Sequence, residues 1–254
     1  MTAKQRVVNL STIRQACSEC SLFQLCLPVT LDAEDVEQLE DIVQRRRPLR
    51  RGEYLYRAED PFRAIYAVRA GAIKTTVLSI NGEEQITGFH LPGEILGLDA
   101  INSGRHPCSA QALETTSVCE IPFDNLEYLA TKIPGLQQSL LRIMSKEIFK
   151  DHELLYAVAK RSADERLAIV LLSFSNRFGR RGLSRTRFRL PMSRAELSNY
   201  LGLAPETMSR LFRRFQEQGL ITASGKEIAL QDIGALRDLA YGYGCEANQR
   251  HLRS

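Results

Sequence analysis

The sequence predicts an α+β fold built in three successive parts: an antiparallel β sandwich or barrel, one long pairing helix, and a helix-turn-helix followed by a wing-like β pair. Three observations carry this expectation. Residues 53–123 alternate short β-rich segments with Gly and Pro turn signals, the pattern of antiparallel sandwiches and barrels. Residues 135–159 contain no Pro and no Gly after Gly135, and repeat apolar side chains at heptad spacing. Residues 191–221, PMSRAELSNYLGLAPETMSRLFRRFQEQGLI, follow the order helix, glycine turn, helix. At 254 residues and about 150 residues per domain, roughly two domains are expected. The 44% hydrophobic and 25% charged content excludes a largely disordered chain and a disulfide miniprotein.

The opening stretch MTAKQRVVNLSTIRQA lacks the apolar core of a signal peptide, and no run approaches the roughly 18 apolar residues of a membrane span. A soluble cytoplasmic protein without membrane partners is expected. In that reducing compartment the six cysteines are explained by metal binding, redox chemistry or burial rather than by disulfides. Cys17, Cys20 and Cys26 fall within ten residues, whereas Cys108, Cys119 and Cys245 are scattered. The neighbouring Leu22, Phe23, Leu25 and Leu27 offer an apolar cover over the cluster of three or simply belong to a core.

Residues 31–44 (LDAEDVEQLEDIVQ) read as a short acidic amphipathic helix. The run RRRPLRR from Arg45 to Arg51 is bracketed by Pro48 and Gly52 and reads as a solvated connection from helix to strand. The strands follow as EYLYRA, AIYAVRA, AIKTTVLSI, EEQITGFHL, SAQALE and SVCEIPF. Turn signals punctuate them at Asp60-Pro61, Gly71, Asn81-Gly82, Pro92-Gly93 and Ser103-Gly104.

On the long helix, Leu141, Met144, Ile148, Asp151, Leu155 and Val158 recur at steps of 3, 4, 3, 4 and 3, a coiled-coil seam for pairing with a second copy. Packing onto its own domain is the alternative. Asp151 is out of character in such a seam. Two copies facing each other about 5 Å apart, at an effective dielectric near 20, would repel by roughly 3 kcal/mol, whereas a carboxylate at the rim of the seam costs nothing.

In the helix-turn-helix, Ser193-Arg194-Ala195-Glu196 is a capping box, Gly202 supplies the turn and Pro205 opens the second helix. Met208, Leu211, Phe212 and Phe215 form an apolar stripe expected to pack on Ala195, Leu197 and the preceding domain. Glu206, Ser209, Arg210 and Arg213 share the opposite face. A carboxylate accepts from the cytosine amino group, a guanidinium forks onto guanine, and Ser meets either base edge, so this face suits a major groove. Charge agrees: residues 1–159 carry 17 Lys+Arg against 21 Asp+Glu, and residues 160–254 carry 17 against 9. The basic half is almost all Arg, which favours forked contacts to phosphate and guanine.

Cys17-x2-Cys20-x5-Cys26-Leu-Pro, then Glu84-Gln-Ile-Thr-Gly-Phe-His-Leu-Pro-Gly-Glu, then Ala110-Gln-Ala-Leu-Glu with Val118-Cys119-Glu-Ile-Pro-Phe, and finally Asn199-Tyr-Leu-Gly-Leu with Glu206-Thr-x-Ser-Arg210 stand in one order. In these stretches the chain resembles the FNR/ANR type of CRP/FNR transcription regulators over nearly its whole length. The resemblance implies an N-terminal β-roll (jelly-roll-like) sensor domain, a dimerisation helix and a C-terminal winged helix-turn-helix. The divisions are a Cys-rich cluster-binding segment 1–30, the β-roll 31–133, the helix 134–160 and the DNA-binding domain 161–254. It implies a [4Fe-4S] cluster in each subunit on Cys17, Cys20, Cys26 and Cys119, with Cys108 and Cys245 as ordinary thiols. A homodimer when the cluster is loaded, a monomer–dimer equilibrium otherwise, and TTGAT-type palindromes as DNA targets follow from it. Glu206, Ser209 and Arg210 match base-reading positions, Asp151 matches the acidic residue of the dimerisation helix, and Gly82, Glu83 and Thr115 fall in surfaces that touch RNA polymerase. The superfamily's cyclic-nucleotide binders carry an Arg-Ser pair where this chain has Arg105-His-Pro-Cys-Ser109, so no cyclic nucleotide is expected.

Four thiolates hold Zn²⁺ or an iron–sulfur cube equally well by ligand type. Three ligands on one loop and a fourth on a distant strand tie two elements together, and losing the metal would free the loop. The competing expectation is a zinc-stabilised, constitutive DNA-binding regulator without oxygen sensing. An enzyme built on Cys17-x2-Cys20 is disfavoured, because the thioredoxin-like βαβ setting is missing and the four His show no catalytic spacing.

Overall fold

The fold is that of a computed structural model, which describes residues 17, 20–26 and 33–242. Leu27, Cys245 and the opening stretch lie outside the described residues. A single helical turn, α1 (Phe23–Cys26), and helix α2 (Ala33–Ile42) precede the β domain. Its strands are β1 (Gln44–Arg45), β2 (Tyr54–Tyr56), β3 (Ala64–Ala70), β4 (Ile73–Leu78), β5 (Glu84–His90), β6 (Ile95–Leu96), β7 (Ser109–Ala112) and β8 (Ser117–Pro122). They form two antiparallel four-stranded sheets, ordered β1-β8-β3-β6 and β2-β7-β4-β5. This is the β-roll. Gly71, Gly82, Gly93 and Gly104, the predicted turn glycines, all take positive φ.

Strand alternation explains how one sheet serves two cores. From β3, Ala64, Tyr66 and Val68 point between the sheets, onto Leu55, Ile73, Ala110 and Val118. The intervening Ile65 and Ala67 point outward, into a helical layer made by Leu39 of α2, Leu126 and Leu129 of α3 (Phe123–Lys132), and Leu136 and Ile143 of α4 (Pro134–Lys160). The long helix α4 spans Pro134–Lys160, about 40 Å at 1.5 Å per residue. Ile133 is extended, as a residue before proline must be, and Pro134 opens the helix.

The run Arg45–Arg51 does connect helix to strand, and it is anchored. Leu49 is buried and bridges Thr116, Arg46 pairs with Glu120 and lies over the Tyr66 ring, and Arg47 pairs with Glu53.

Beyond α4, the C-terminal domain comprises α5 (Ala163–Arg180), β9 (Arg187–Arg189), α6 (Arg194–Tyr200), α7 (Pro205–Glu217), β10 (Ile221–Ser224), β11 (Glu227–Leu230) and α8 (Ile233–Tyr241). A capping box of Ser162 and Glu165 starts α5 immediately after α4 ends. The expected wing pair, β10 and β11, gains β9 as a third strand, because Phe188 pairs opposite Ile228 and both are buried. Among the described residues no helix is long and apolar enough to cross a membrane.

Candidate functional site

The helix-turn-helix is assembled by local chemistry. Ser193 Oγ accepts from Glu196 N at 3.1 Å and Glu196 returns a bond from Ser193 N at 2.8 Å, satisfying two donors at the start of α6. Gly202, at φ +62°, turns the chain, and Leu203 N donates to Ser198 O at 2.9 Å. Arg166 of α5 donates to Leu201 O at 3.1 Å and braces the turn from below. On α7, Met208, Leu211, Phe212 and Phe215 are buried, packed with Leu197, Leu201 and Met192. Ala195 is exposed, contrary to expectation. It sits on the first turn of α6, one side chain away from Leu197, which alone of the pair faces α7.

Glu206, Ser209, Arg210 and Arg213 are all exposed on one face of α7. Their contacts are short-range and replaceable: Ser209 Oγ donates to Pro205 O at 3.0 Å, Arg210 reaches Thr207 Oγ1 at 3.5 Å, and Arg213 pairs with Glu217 at 2.8 Å. The face is therefore presented, with its donors available to another molecule. Arg194 lies over the Phe212 ring of α7 at 4.5 Å, and on β9 Arg187 and Arg189 are exposed, Arg189 pairing with Glu114 and Glu227. Arg187 and Arg189 carried no motif in the sequence; alternation around buried Phe188 is the signal that turns both outward.

The cysteines form the second site. Cys20 N donates to Cys17 O and Cys26 N to Leu22 O, so the loop winds through consecutive turns into α1. Cys119 lies on β8 between Val118, which faces the inter-sheet core, and Ile121, which faces the helical layer. Alternation aims Cys119 at that layer, where Cys26 and Phe23 also pack. The four thiols act on one another electrostatically. Burial pushes Cys17 up to about 11 and Cys26 up to about 12, with Cys119 the next contributor to both. Burial also raises Cys119, against the pull of Arg69 and Arg45. Four neighbouring thiolates would repel, so the set accepts deprotonation only with a bound cation to neutralise it. Among the described residues, no three His, Cys, Asp or Glu side chains are placed to hold one metal ion. The thiols are gathered, then, without being closed on a single-ion point. Leu22, Phe23 and Leu25 are half-buried; Phe23 packs in the same layer as Cys26 and Cys119, and Leu25 lies against Gly93. Cys108 sits elsewhere, buried between the sheets with its thiol on Asp99 at 3.3 Å.

On α4, Leu141, Met144, Ile148, Asp151 and Leu155 are exposed and Val158 is half-buried, while Leu136, Ile143 and Ala157 are buried. The heptad positions thus form a face turned away from the chain's own core. Gly82 and Glu83 stand at the tip of the β4–β5 hairpin, whereas Thr115 lies beside Gly71 at the other end of β4. The structure does not bring them together; a six-residue strand separates them by about 20 Å.

A winged helix-turn-helix under a β-roll and a long helix defines a class of DNA-binding regulators, and the comparisons agree. Residues 165–239 match the Crp-like helix-turn-helix domain and residues 46–132 match the cyclic nucleotide-binding domain. The chain is 53% identical over 236 residues to the transcriptional activator protein Anr of Pseudomonas protegens, covering 92% of this chain and 97% of that protein. It is 46% identical over 224 residues to the fumarate and nitrate reduction regulatory protein of Escherichia coli (strain K12), covering 88% and 90%. The solved structure of FixK2 from Bradyrhizobium japonicum is similar, with a TM-score of 0.71 and 30% identity over 78% of this chain and 97% of that one. The chain belongs to the FNR/ANR type of the CRP/FNR family and is a DNA-binding transcription regulator.

Proposed function

We propose that the chain is an oxygen-responsive regulator of anaerobic gene expression, acting in the cytoplasm. In this reading Cys17, Cys20, Cys26 and Cys119 hold one oxygen-labile [4Fe-4S] cluster per subunit, and the loaded form is a homodimer that binds TTGAT-type palindromes. The observation that carries the reading is Cys119: strand alternation turns it out of the β-roll toward Cys26, 93 residues earlier in the chain. The donor set fits the group, since its thiols are partly buried and mutually repelling once ionised. When bound, the cluster supplies an oxygen-labile tie between loop and strand.

The chain's own residues do the rest. Phe23 and Cys26 pack into the layer that also holds Leu39, Leu136 and Ile143, so the tied loop braces α4 on the side opposite its heptad face. Leu141, Met144, Ile148, Leu155 and Val158 then pair with a second copy, and Asp151 opposes that pairing, which keeps the untied chain in a monomer–dimer equilibrium. Glu206, Ser209, Arg210 and Arg213 read the bases. Gly82, Glu83 and Thr115 contact RNA polymerase as two separate patches. The β-roll works without a cyclic nucleotide: Arg105 donates to Glu59 O at 2.7 Å, and the stacked rings of Tyr56 and His106 fill its interior.

Anaerobic visible absorption with iron and sulfide analysis tests the reading. Four irons and four sulfides per chain, lost in air together with operator binding, are expected. A colourless protein carrying one zinc per chain and binding DNA equally in air would refute it and leave the zinc-stabilised constitutive regulator.

A further inference from the structure

The C-terminal domain is joined to α4 by two residues, Arg161 and Ser162, and is also fastened to the β-roll by polar contacts: Arg189 pairs with Glu114, Lys74 lies 3.7 Å from Glu196, and two further points make several hydrogen bonds each. At the first, Arg177 of α5 makes a forked pair with Glu94, in the turn after β5, and also donates to Phe89 O. Glu94 is held in place by Leu91 N at 2.9 Å. The pair is largely buried, with side-chain exposures of 14% and 24%. Lys150 of α4, paired with Glu147 at 3.0 Å, lies within electrostatic reach of Glu94, so β-roll, α4 and α5 share one charge balance.

At the second point, Asn199 of α6 docks on β5, the edge strand of the sheet ordered β2-β7-β4-β5. Its Oδ1 accepts from Ile86 N at 2.7 Å, its Nδ2 donates to Glu84 O at 2.8 Å, and its own carbonyl accepts from Gln85 Nε2 at 2.8 Å. The side chain gives the strand edge the donor and acceptor that a neighbouring strand would give. Between the two points, Phe89 packs on Tyr200 and Phe174 in one apolar core shared by both domains.

Neither point covers the exposed face of α7. The contacts leave the reading helix free and fix where it stands relative to α4. We propose that Arg177 and Asn199 are positioning residues for DNA reading: clamped to Glu94 and to the edge of β5, they prevent rotation about the Arg161–Ser162 joint and thereby set the spacing of the two recognition helices in the dimer. Half-sites lie one helical turn apart, and one base pair more or less displaces a half-site by about 3.4 Å and roughly 35°. A rigidly held pair of helices rejects such a shift, and a pair on loose joints tolerates it.

This inference rests on the reading of the chain as a dimer on palindromic DNA, and one of its two tests needs neither cluster nor DNA. In the cluster-free protein, hydrogen exchange at the Ile86 amide reports the Asn199 contact. Arg177→Ala, which touches neither residue, should speed that exchange about tenfold or more if the two points hold one rigid docking. Unchanged exchange overturns the proposal. In the second test, the anaerobically reconstituted protein is titrated with a TTGAT palindrome and with versions lengthened or shortened by one base pair between half-sites. The parent should prefer the native spacing by about tenfold or more, and Asn199→Ala and Arg177→Ala should reduce that ratio to about threefold or less. General destabilisation lowers binding to every spacing alike, so variants that keep the parent's ratio overturn the proposal. If the parent itself binds no palindrome, the dimeric DNA-reading function fails, and the exchange measurement still decides whether the clamp exists.

Discussion

Replacing Glu94 by Gln keeps the volume of the side chain and removes its charge, leaving Arg177 and Lys150 facing each other without their shared counterion. The magnitude follows from the acidity of Glu94. Burial by itself would raise the carboxyl, but Arg177, Lys150 and the Leu91 amide outweigh it and hold Glu94 at about 2, against an ordinary value of 4.5. At about 1.4 kcal/mol for each pH unit, the ionised carboxylate contributes roughly 3 kcal/mol, an upper value because Gln still accepts from Leu91 N and Arg177. The sign is that of a depressed carboxyl. Its contribution is complete above the unfolded value near 4.5 and is lost as pH falls through the folded value. His90, which burial and then Lys150 push down to about 3 while Glu94 pulls it up, adds a further acid limb that begins near 6.5 in both proteins and deepens in the variant only at its low-pH end. Urea unfolding followed by circular dichroism at pH 7, 5, 4 and 3 separates the two. The variant should be less stable by up to roughly 3 kcal/mol at pH 7, and the gap should narrow below pH 4.5. A gap that is the same at every pH, or no gap at pH 7, would show that the Glu94 charge does not fasten the two domains.

What the sequence discloses depends on how local the cause is. The turn glycines and alternating strands were legible because each is fixed by its immediate neighbours: Gly71, Gly82, Gly93 and Gly104 all take the left-handed region their turns require. Strands β1, β6 and β9 escaped, since two or three residues show no period; they exist because a longer strand offers an edge, as Ala67 does to Ile95. The helix α3 was hidden within the span assigned to the β-roll, for it follows β8 without a turn signal. The apolar stripe of α7 was legible, yet the expected partner Ala195 turns to solvent, because which face of a seven-residue helix turns inward is decided by its neighbour. The expectation that Cys119 joins the loop cysteines rests on family resemblance; that it packs in the same layer as Cys26 follows from alternation on β8 and needs the sheet order. Least legible are Glu94, Arg177 and Asn199. Glu94 and Asn199 fall in stretches that carry the family resemblance, but nothing there names Arg177 or the strand edge, which lie 83 to 115 residues away, as what they bind.

Three further perturbations bear on other parts of the molecule. Arg210→Ala should cost about 1–3 kcal/mol on the preferred operator and relax base preference at one position of each half-site, measured by binding to a randomised half-site library; an equal loss on all sequences would make Arg210 a phosphate contact. Gly71→Ala places a Cβ 2.5 Å from Thr115 O and Thr116 Oγ1 at a φ of +82°, and should lower stability by about 2–5 kcal/mol from backbone strain and overpacking combined. An unchanged urea midpoint would mean that the β7–β8 connection yields easily. Asp151→Ala should dimerise without the cluster, because it leaves an unbroken apolar face between Ile148 and Leu155, both exposed on α4 in the single chain. Sedimentation in air decides this. A dimer supports a seam restrained only by its carboxylates, whereas a monomer would mean that α4 must itself be reshaped before it can pair, and that the restraint lies in the helical layer around Leu136 and Ile143 rather than at Asp151.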